Sequence, residues 1–146
     1  MPKRFVILHH RLDQGEHWDL MLERGEVLWT WQLLLEPVNA ASLPIPARRI
    51  ADHRKDYLTY EGPVSGDRGT VRRVDSGTYQ IESLGPERIE LTIGAGRLSG
   101  SLTLVRVAED GWSLECRSSF DVAPPAAAPR AAAPPDVAPR LVGGAE

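Results

Sequence analysis

The sequence predicts an all-β protein folded as a compact, closed or nearly closed β-barrel. Apolar and polar residues alternate over short runs, and turn residues such as glycine and aspartate separate those runs. No stretch repeats its apolar residues at the spacing of a helix over three turns. We favour a barrel over an open sheet because closure pairs the edge strands, whose backbone groups would otherwise stay unpaired.

The first three predicted strands cover residues 4–9, 17–23 and 26–35. Successive strand residues point to opposite faces of a sheet, so a run that alternates fully has one apolar and one polar face. In the second strand these faces are Trp18, Leu20 and Leu22 on one side and His17, Asp19 and Met21 on the other. We expect the tryptophans of the chain to fill the core rather than to stack on nucleic-acid bases.

Two irregular segments are predicted after the third strand. Residues 36–48 contain three prolines and are predicted to be a connection, since proline cannot donate a backbone hydrogen bond. Residues 50–67 mix charged and aromatic side chains and are predicted to be a loop. Loops of this kind on a rigid barrel commonly carry the functional residues.

The remaining strands are predicted from turn residues and alternation. Asp75-Ser76-Gly77 is typical of a three-residue hairpin loop, which would join strands at residues 69–74 and 77–82. Further strands are predicted at residues 88–93, 97–107 and 112–117.

Composition divides the chain in two. Residues 123–146 hold six of the 12 prolines and nine alanines, and such a segment has too little apolar bulk to offset the entropy of ordering it. We therefore predict a β-barrel domain over residues 1–120 and a disordered Ala/Pro-rich tail over residues 121–146.

Charge and composition exclude several classes of protein. The net charge of −3 argues against a general nucleic-acid binder but leaves room for a local basic groove. The one cysteine excludes an internal disulfide framework and a zinc site built mainly from cysteines. No run approaches the roughly 18 apolar residues of a membrane span, and no signal peptide is recognisable. We expect a monomeric, cytoplasmic protein.

Histidines near the N-terminus form a candidate metal site. His17 and Asp19 lie two residues apart in a predicted strand, so both side chains point to the same face. Either His9 or His10, one strand earlier, completes a set of two imidazoles and a carboxylate. Such a set suits manganese, iron, zinc or cobalt and leaves coordination positions for water or a phosphate oxygen. The alternative interpretation is a solvent-facing polar stripe.

The predicted loop that contains His53 holds a second group of candidates. His53, next to an arginine and a lysine, is suited to bind an oxyanion, and Tyr57 is suited to donate a hydrogen bond to it. The alternative is a charged loop whose tyrosines, Tyr57 and Tyr60, pack over the barrel mouth. The arginines that are candidates either for phosphate contacts or for a solvated strand face are Arg48, Arg49, Arg68, Arg72 and Arg73.

Several motifs follow one another in an order that points to a family. His17-Trp18-Asp19-Leu20-Met21-Leu22-Glu23 is similar to a family motif His-Tyr-Asp-Phe-Arg-Leu-Glu. Other segments with counterparts are Phe5-Val6-Ile7 with His10, Val27-Leu28-Trp29-Thr30-Trp31, Asp52-His53 with Asp56-Tyr57, Tyr60-Glu61-Gly62, Gly69-Thr70-Val71, Asp75-Ser76-Gly77-Thr78-Tyr79, residues 98–105 and Trp112. Over residues 4–117 the chain thus resembles the 3′-phosphoesterase domain of bacterial DNA ligase D, which also occurs as small stand-alone proteins.

The resemblance implies a compact β-barrel that trims DNA 3′ ends with manganese, removing 3′-phosphates and terminal 3′-ribonucleotides during end repair. It implies His10, His17 and Asp19 as the metal ligands. The implied partners are the 3′ ends of DNA or RNA-tailed DNA and end-joining repair proteins, which would place the protein at the nucleoid.

The resemblance also implies roles for residues outside the ligand set. His53 would contact the scissile phosphate or assist proton transfer, and Tyr57 would help to position that phosphate. An arginine before His53, either Arg48 or Arg49, would clamp a phosphate oxygen. A metal ion, a histidine and an arginine together can stabilise the negative charge that develops in phosphoryl chemistry.

The chain departs from the family pattern at several places. The family arginine two residues after the metal-binding aspartate is Met21 here, and the lysine of a Pro-Lys-Gly-Pro loop is Leu35. One additional residue lies between His10 and His17, which leaves His9 as an alternative ligand. Since the chain begins almost at its first strand, we expect the family's preceding polar arm to be missing. These departures favour an alternative function, a non-catalytic module that binds nucleic-acid ends or a repair partner.

Overall fold

The computed structural model describes residues 3–37, 44–94, 96 and 100–116. Within these residues nine strands form one antiparallel sheet, so the prediction of an all-β fold is confirmed. The elements are β1 (Lys3–Leu12), β2 (Gly15–Arg24), β3 (Val27–Leu33), β4 (Ile45–Arg54), a 3-10 turn (Lys55–Leu58), β5 (Gly62–Pro63), β6 (Thr70–Leu84), β7 (Arg88–Gly94), β8 (Gly100–Arg106) and β9 (Gly111–Cys116).

The sheet closes on itself, as predicted. Around the barrel the strands follow the order β1-β2-β3-β4-β9-β8-β7-β6, and β6 pairs back with β1. The two-residue strand β5 pairs with the start of β6. Closure gives each of the eight barrel strands a partner on both sides, so the ring has no edge that exposes unpaired backbone groups.

Alternate residues of the strands fill the barrel interior. The interior cluster includes Phe5, Ile7, Trp18, Leu20, Leu22, Trp31, Leu33, Tyr79, Leu91, Leu104 and Trp112. This confirms the apolar face predicted for residues 17–23. It also confirms that tryptophans fill the core, with Trp29 packed against the cluster from a partly buried position.

A second apolar cluster lies on the outer face of the barrel wall, and we call it the outer cluster. Its members are Val6, Leu8, Met21, Leu28, Tyr57, Leu58, Tyr60, Val64 and Val71. Residues 55–69, which follow β4 and contain the 3-10 turn and β5, cover the wall here. Because the interior cluster lies on the opposite face, β1 is buried on both sides over residues 5–8.

The predicted connection at residues 36–48 and the predicted loop that starts at residue 50 are wrong in part, because Ile45–Arg54 is strand β4. β4 pairs with β3 along most of its length and with β9 at its start. Its proline, Pro46, is exposed, and its carbonyl oxygen accepts the N–H of Leu34 at 3.0 Å. The sheet thus loses one donor at this proline and keeps the acceptor. Residues 38–43 lie outside the described part of the chain.

The hairpin predicted at Asp75-Ser76-Gly77 is also wrong, because these residues lie inside the continuous strand β6. The pairing of β6 with β1 shifts register here, which leaves Val74 as the additional residue of a β-bulge. Oδ1 of Asp75 accepts the N–H of Ser76 at 2.9 Å. Small polar residues suit a bulge as well as a turn, and the continuous ladder to β1 decides between the two.

The last three predicted strands correspond to β7, β8 and β9. Residues 97–99 and 117, which the prediction included, lie outside the described residues, as do the predicted domain end at residue 120 and the predicted tail at residues 121–146. In the described part of the chain, no helix has the length and apolar character that crossing a bilayer requires.

Gly69 lies where residues 55–69 return to the barrel wall, and it provides a test of that packing. Its φ is +83°, and a Cβ there would overlap the carbonyl oxygen of Arg11. We expect Gly69→Ala to lower the free energy of unfolding in urea by about 2 kcal/mol or more, because left-handed strain adds to steric overlap.

The matched control is Gly25→Ala. Gly25 also has a positive φ, +62°, but an added Cβ meets nothing within 4 Å. We expect a loss of about 1 kcal/mol from the backbone conformation alone. Equal losses for the two variants would show that the close approach of Gly69 to β1 contributes nothing to stability.

Candidate metal centre

Two histidines and an aspartate converge on the outer face of the barrel wall. His10 belongs to β1, His17 and Asp19 belong to β2, and His10 stands directly opposite His17 in the ladder. His10 and Asp19 are buried, and 16% of the His17 side chain is exposed. One ligand atom from each residue lies within 4.8 Å of the other two. The structure thus brings together the predicted ligands, which we call the His-His-Asp cluster.

The facing atoms of this cluster are closely spaced. Nδ1 of His10 lies 3.1 Å from Nε2 of His17 and 3.6 Å from Oδ2 of Asp19. Nε2 of His17 lies 3.2 Å from Oδ1 of Asp19, a buried oxygen that has no hydrogen bond of regular geometry. Burial raises the pKa of Asp19, but the two neighbouring histidines outweigh burial and lower the pKa overall. An ionised carboxylate facing two imidazoles is a donor set for a cation.

The backbone of residue 68 fixes the orientation of His10. The carbonyl oxygen of Arg68 lies 2.6 Å from Nε2 of His10 and can only accept, so the imidazole proton is on Nε2. Nδ1 therefore turns its lone pair toward His17 and Asp19. Metal-binding histidines usually donate their other N–H to a carbonyl or carboxylate in this way. Sequence analysis missed this contact, because no pattern reveals which backbone carbonyl will approach β1.

His9 lies on the other face of β1, away from the His-His-Asp cluster. Its ring stacks on that of Trp18, with centroids 4.8 Å apart and 8° between the planes. Its Nε2 lies 2.7 Å from Oε1 of Glu16. The structure therefore separates the two alternatives that the sequence left open and places His10 in the cluster, because neighbouring strand residues face opposite ways.

His53 is buried near the end of β4, opposite Leu28 of the outer cluster. Its Nδ1 donates a hydrogen bond to the carbonyl oxygen of Ala51 at 2.9 Å. Its Nε2 is buried and has no hydrogen-bond partner among the described residues. Burial lowers the pKa of His53, and the nearby charge of Asp19 opposes this only in part. A neutral imidazole with an unused acceptor nitrogen is suited to take up a proton.

Tyr57 belongs to the 3-10 turn, lies beside His53 of β4 and is fully buried. The two rings meet edge to face with their centroids 5.4 Å apart. Burial raises the pKa of the Tyr57 phenol, and the positive charge of Arg68 lowers it only in part. The phenol therefore stays protonated at neutral pH and can donate a hydrogen bond. Tyr57 packs in the outer cluster with Leu8, the ladder partner of Asp19, and the charge of Asp19 acts on both His53 and Tyr57.

The two arginines predicted as phosphate clamps point to opposite faces of β4. Arg48 is opposite Gln32 in the ladder, and Gln32 is opposite Asp19, so the exposed Arg48 shares the face of the His-His-Asp cluster. Arg49 faces the barrel interior, where its guanidinium lies 4.5 Å from the ring centroid of Trp31. Only Arg48 of this pair is on the side of the candidate site.

An ion-pair network holds the 3-10 turn against the wall. Glu23 of β2 accepts hydrogen bonds from the backbone N–H and the guanidinium of Arg4, and Nζ of Lys55 lies 3.0 Å from its Oε2. The Arg4 hydrogen bond is the main reason that the pKa of Glu23 falls to about 2. Since Lys55 begins the turn that carries Tyr57, this network helps to position Tyr57. The sequence motif included Glu23 but gave no signal for its partners.

Comparison with known proteins decides the family. The sequence model of the DNA Ligase D 3′-phosphoesterase domain family matches residues 8–106 of this chain. The chain belongs to that family. It is similar to a "Multifunctional non-homologous end joining protein LigD" from Mycobacterium bovis, with 32% identity over 115 residues that cover 74% of this chain and 15% of the relative. The identity and the coverage are the same for a "Multifunctional non-homologous end joining DNA repair protein LigD" from Mycobacterium tuberculosis. The chain thus spans about 15% of the length of these relatives.

Met21 is the departure from the DNA ligase D phosphoesterase pattern that the structure explains best. It is fully buried in the outer cluster with Leu8, Leu28 and Tyr57. A methionine packs well among apolar and aromatic side chains but cannot hold a phosphate as a guanidinium does. Leu35, the second departure, is exposed. Met21 is the next residue after Asp19 on the same face of β2. In this chain it packs against residues 55–69 and offers no charge to a phosphate.

Glu23→Gln tests whether the ion-pair network stabilises the fold. A carboxylate whose pKa is lowered by folding stabilises the protein above its unfolded pKa, and this contribution is lost as the pH falls toward the folded pKa. We therefore expect wild type to be more stable than Glu23→Gln by about 1 kcal/mol at neutral pH, a modest value because Arg4 is largely exposed.

The measurement is the free energy of unfolding in urea over a pH series. The advantage of wild type over Glu23→Gln should shrink as the pH falls from 4.5 toward about 2. A difference that stays constant over this range would contradict the assignment of the lowered pKa to Glu23.

Proposed function

We propose that this protein is a metal-dependent 3′-phosphoesterase that removes a terminal 3′-phosphate or 3′-ribonucleotide from DNA during end joining. The observation that carries the proposal is the convergence of His10, His17 and Asp19 beside His53 and Tyr57, in a chain of the DNA ligase D 3′-phosphoesterase family. This arrangement joins a cation-binding set to an uncharged base and a hydrogen-bond donor.

The donor set of the His-His-Asp cluster fits a divalent ion. The orienting hydrogen bond of His10 and the buried Oδ1 of Asp19, which lacks a regular hydrogen bond, are both features that a bound cation would use. We propose manganese, because two imidazoles and one carboxylate suit this ion and leave room for other ligands. When bound, the ion would polarise a phosphoryl oxygen and stabilise negative charge on it.

The residues around the cluster supply the remaining chemistry. Nε2 of His53 carries a lone pair, so it can take a proton from an attacking water or be protonated to contact the phosphate. The protonated phenol of Tyr57 can donate a hydrogen bond to a phosphate oxygen. Arg48, on the same face, offers a positive charge at the exposed side of the site. The outer cluster excludes water from the buried side, which strengthens these interactions.

The biological role follows the proposed chemistry. The relatives are named as non-homologous end joining proteins, and we propose that this chain likewise acts on DNA or RNA-tailed DNA 3′ ends beside end-joining repair proteins. We propose that it acts as a monomer at the nucleoid in the cytoplasm.

Metal titration tests the donor set. We expect Mn²⁺ to raise the thermal unfolding temperature of wild type, because a ligand that binds the folded state at a hundredfold excess over its Kd adds about 2.7 kcal/mol of stability. His17→Ala, which removes the most exposed member of the cluster, should lose this shift. His9→Ala is the matched control and should keep it, since His9 faces away from the cluster. Equal shifts for wild type and His17→Ala would contradict metal binding at this place.

Activity is tested on a primer-template whose primer ends in a 3′-phosphate or a single 3′-ribonucleotide. We expect wild type with Mn²⁺ to release the terminal group, and His53→Gln to lower kcat by about a hundredfold or more while the metal-induced stabilisation stays unchanged. Tyr57→Phe should lose about tenfold, as expected for one hydrogen bond to the phosphate.

The control for activity is Arg88→Gln, which removes an exposed charge that pairs with Glu90. It should leave turnover unchanged. If folded wild type and His17→Ala release equal background amounts, the enzymatic function is refuted.

A second candidate function is a non-catalytic module that binds DNA ends or a repair partner. The burial of Met21 in the outer cluster favours it, because the position that carries an arginine in the family pattern holds no cation here that could bind a phosphate. This function requires DNA-end binding without product in the same assay. Binding that does not depend on the chemical group at the DNA end would also argue against this second function.

A further inference from the structure

A cavity of about 440 Å³ lies where β1, the start of β6 and residues 61–62 meet, and its β1 residues, His9 and Arg11, are on the face opposite to His10. Its lining residues are His9, Arg11, Glu61, Gly62, Thr70, Val71 and Arg72. His9 and Arg11 flank the cluster residue His10 in sequence, so the cavity and the candidate metal centre share one strand. None of the roles proposed above uses the polar side chains of this cavity.

The cavity carries two positive charges without bound carboxylates. In the ladder Arg72 is opposite His9 and Thr70 is opposite Arg11, so the two arginines are diagonal neighbours with Cα atoms roughly 7–8 Å apart. Both arginines are exposed, and neither has an ion pair with any residue that the structure describes.

The two acidic residues near the arginines have other contacts. Oε1 of Glu16 lies 2.7 Å from Nε2 of His9. Oε2 of Glu61 accepts the backbone N–H of Arg73 at 2.7 Å. Arg11 and Arg72, both exposed, are therefore available to a ligand in the cavity, and the ligand that suits such a pair is an anion with more than one negative group.

An aromatic platform stands beside these charges. Trp18 covers one side of the His9 ring at 4.8 Å in a nearly parallel stack, and Glu16 holds the ring edge. About a quarter of the His9 side chain, 23%, stays exposed and lines the cavity. A ring fixed in this way loses little entropy when a flat ligand stacks on it, and nucleic-acid bases are recognised by such stacking.

The cavity and the metal centre lie near one end of the β1–β2 ladder. His10 and His17 are two residue pairs from the last pair of that ladder, Leu12 with Gly15. A DNA chain that has its terminus at the candidate metal centre can reach the other face of β1 around the tip of this hairpin. The short distance from the histidine pair to the tip makes this path accessible to a flexible single strand.

The geometry points to a single-stranded DNA subsite in this cavity, in which Arg11 and Arg72 contact backbone phosphates and His9 stacks on a base. The identity of the ligand rests on the proposed function, whereas the subsite itself rests on the charges and the His9–Trp18 stack. The subsite would hold unpaired nucleotides of the DNA near the processed 3′ end and contribute affinity without taking part in the chemistry.

The test measures binding without metal and without turnover. A fluorescein-labelled oligodeoxythymidylate of about ten nucleotides, with an ordinary 3′-hydroxyl, is titrated with the full chain in EDTA and followed by anisotropy. We expect the double variant Arg11→Gln/Arg72→Gln to bind about tenfold more weakly than wild type. The slope of log K against log salt should decrease by about 1.4, since each phosphate contact to a single strand contributes roughly 0.7.

The matched control is Lys3→Gln/Arg88→Gln, which removes the same net charge at two exposed residues outside the cavity. It should keep the affinity and the salt slope of wild type. Equal losses for the two double variants would show general charge attraction and overturn the phosphate subsite.

Two variants of His9 test whether a base stacks on this ring in the proposed subsite. His9→Ala should weaken binding to the oligodeoxythymidylate about tenfold, in the range known for one base on one aromatic ring, and should not change binding to an abasic strand of equal length. His9→Phe keeps an aromatic ring and should keep most of the affinity. If His9→Ala affects both strands equally, or neither, the stacking assignment is wrong.

The outcomes separate this proposal from the proposed function. A protein that shows these binding losses but releases no 3′-phosphate refutes only the enzymatic activity. A protein that releases 3′-phosphate in a metal-dependent way but binds strands equally well with and without Arg11 and Arg72 refutes only the subsite.

Discussion

In the ladder between β1 and β2, His10 stands opposite His17 and Leu8 stands opposite Asp19. This register puts both imidazoles and the carboxylate on one face and leaves the other face to the barrel core. A slip of one residue would turn every side chain of a strand to the opposite face, which would bury polar residues in the core and expose apolar ones. The packing of two apolar clusters on β1, one on each side, therefore also fixes the geometry of the candidate metal centre.

The outer cluster links packing to electrostatics. Residues 55–69 are held against the wall by apolar contacts and by the Glu23 ion-pair network, and this places Tyr57 and His53 in a setting with little water. Burial lowers the pKa of His53 and raises that of Tyr57, so one is a neutral acceptor and the other a neutral donor. The same burial explains Met21. Its apolar side chain supports the cover that creates this environment, and Arg48 is an exposed cation on the same face.

The two faces of β1 have different surroundings because alternate residues belong to different layers. His10 lies under residues 55–69, where the carbonyl oxygen of Arg68 orients it. His9, its neighbour, lies on Trp18 beside the arginine-lined cavity. The His-His-Asp cluster, the arginine pair and the His9–Trp18 stack are all features that this chain's own contacts establish.

The sequence by itself determined the all-β barrel, the apolar face of β2 and the group of His17, Asp19 and a histidine from the preceding strand, because strand periodicity is local and survives in any register. It misplaced β4 and the predicted hairpin at residues 75–77, since prolines and small polar residues signal turns, and only pairing with distant strands kept these segments extended. Tertiary structure alone chose His10 over His9 and Arg48 over Arg49 for the face of the site. It also supplied the Arg68 carbonyl and the partners of Glu23. These choices depend on cross-strand register and on how residues 55–69 cover the wall, and contacts between residues far apart in sequence leave no local pattern.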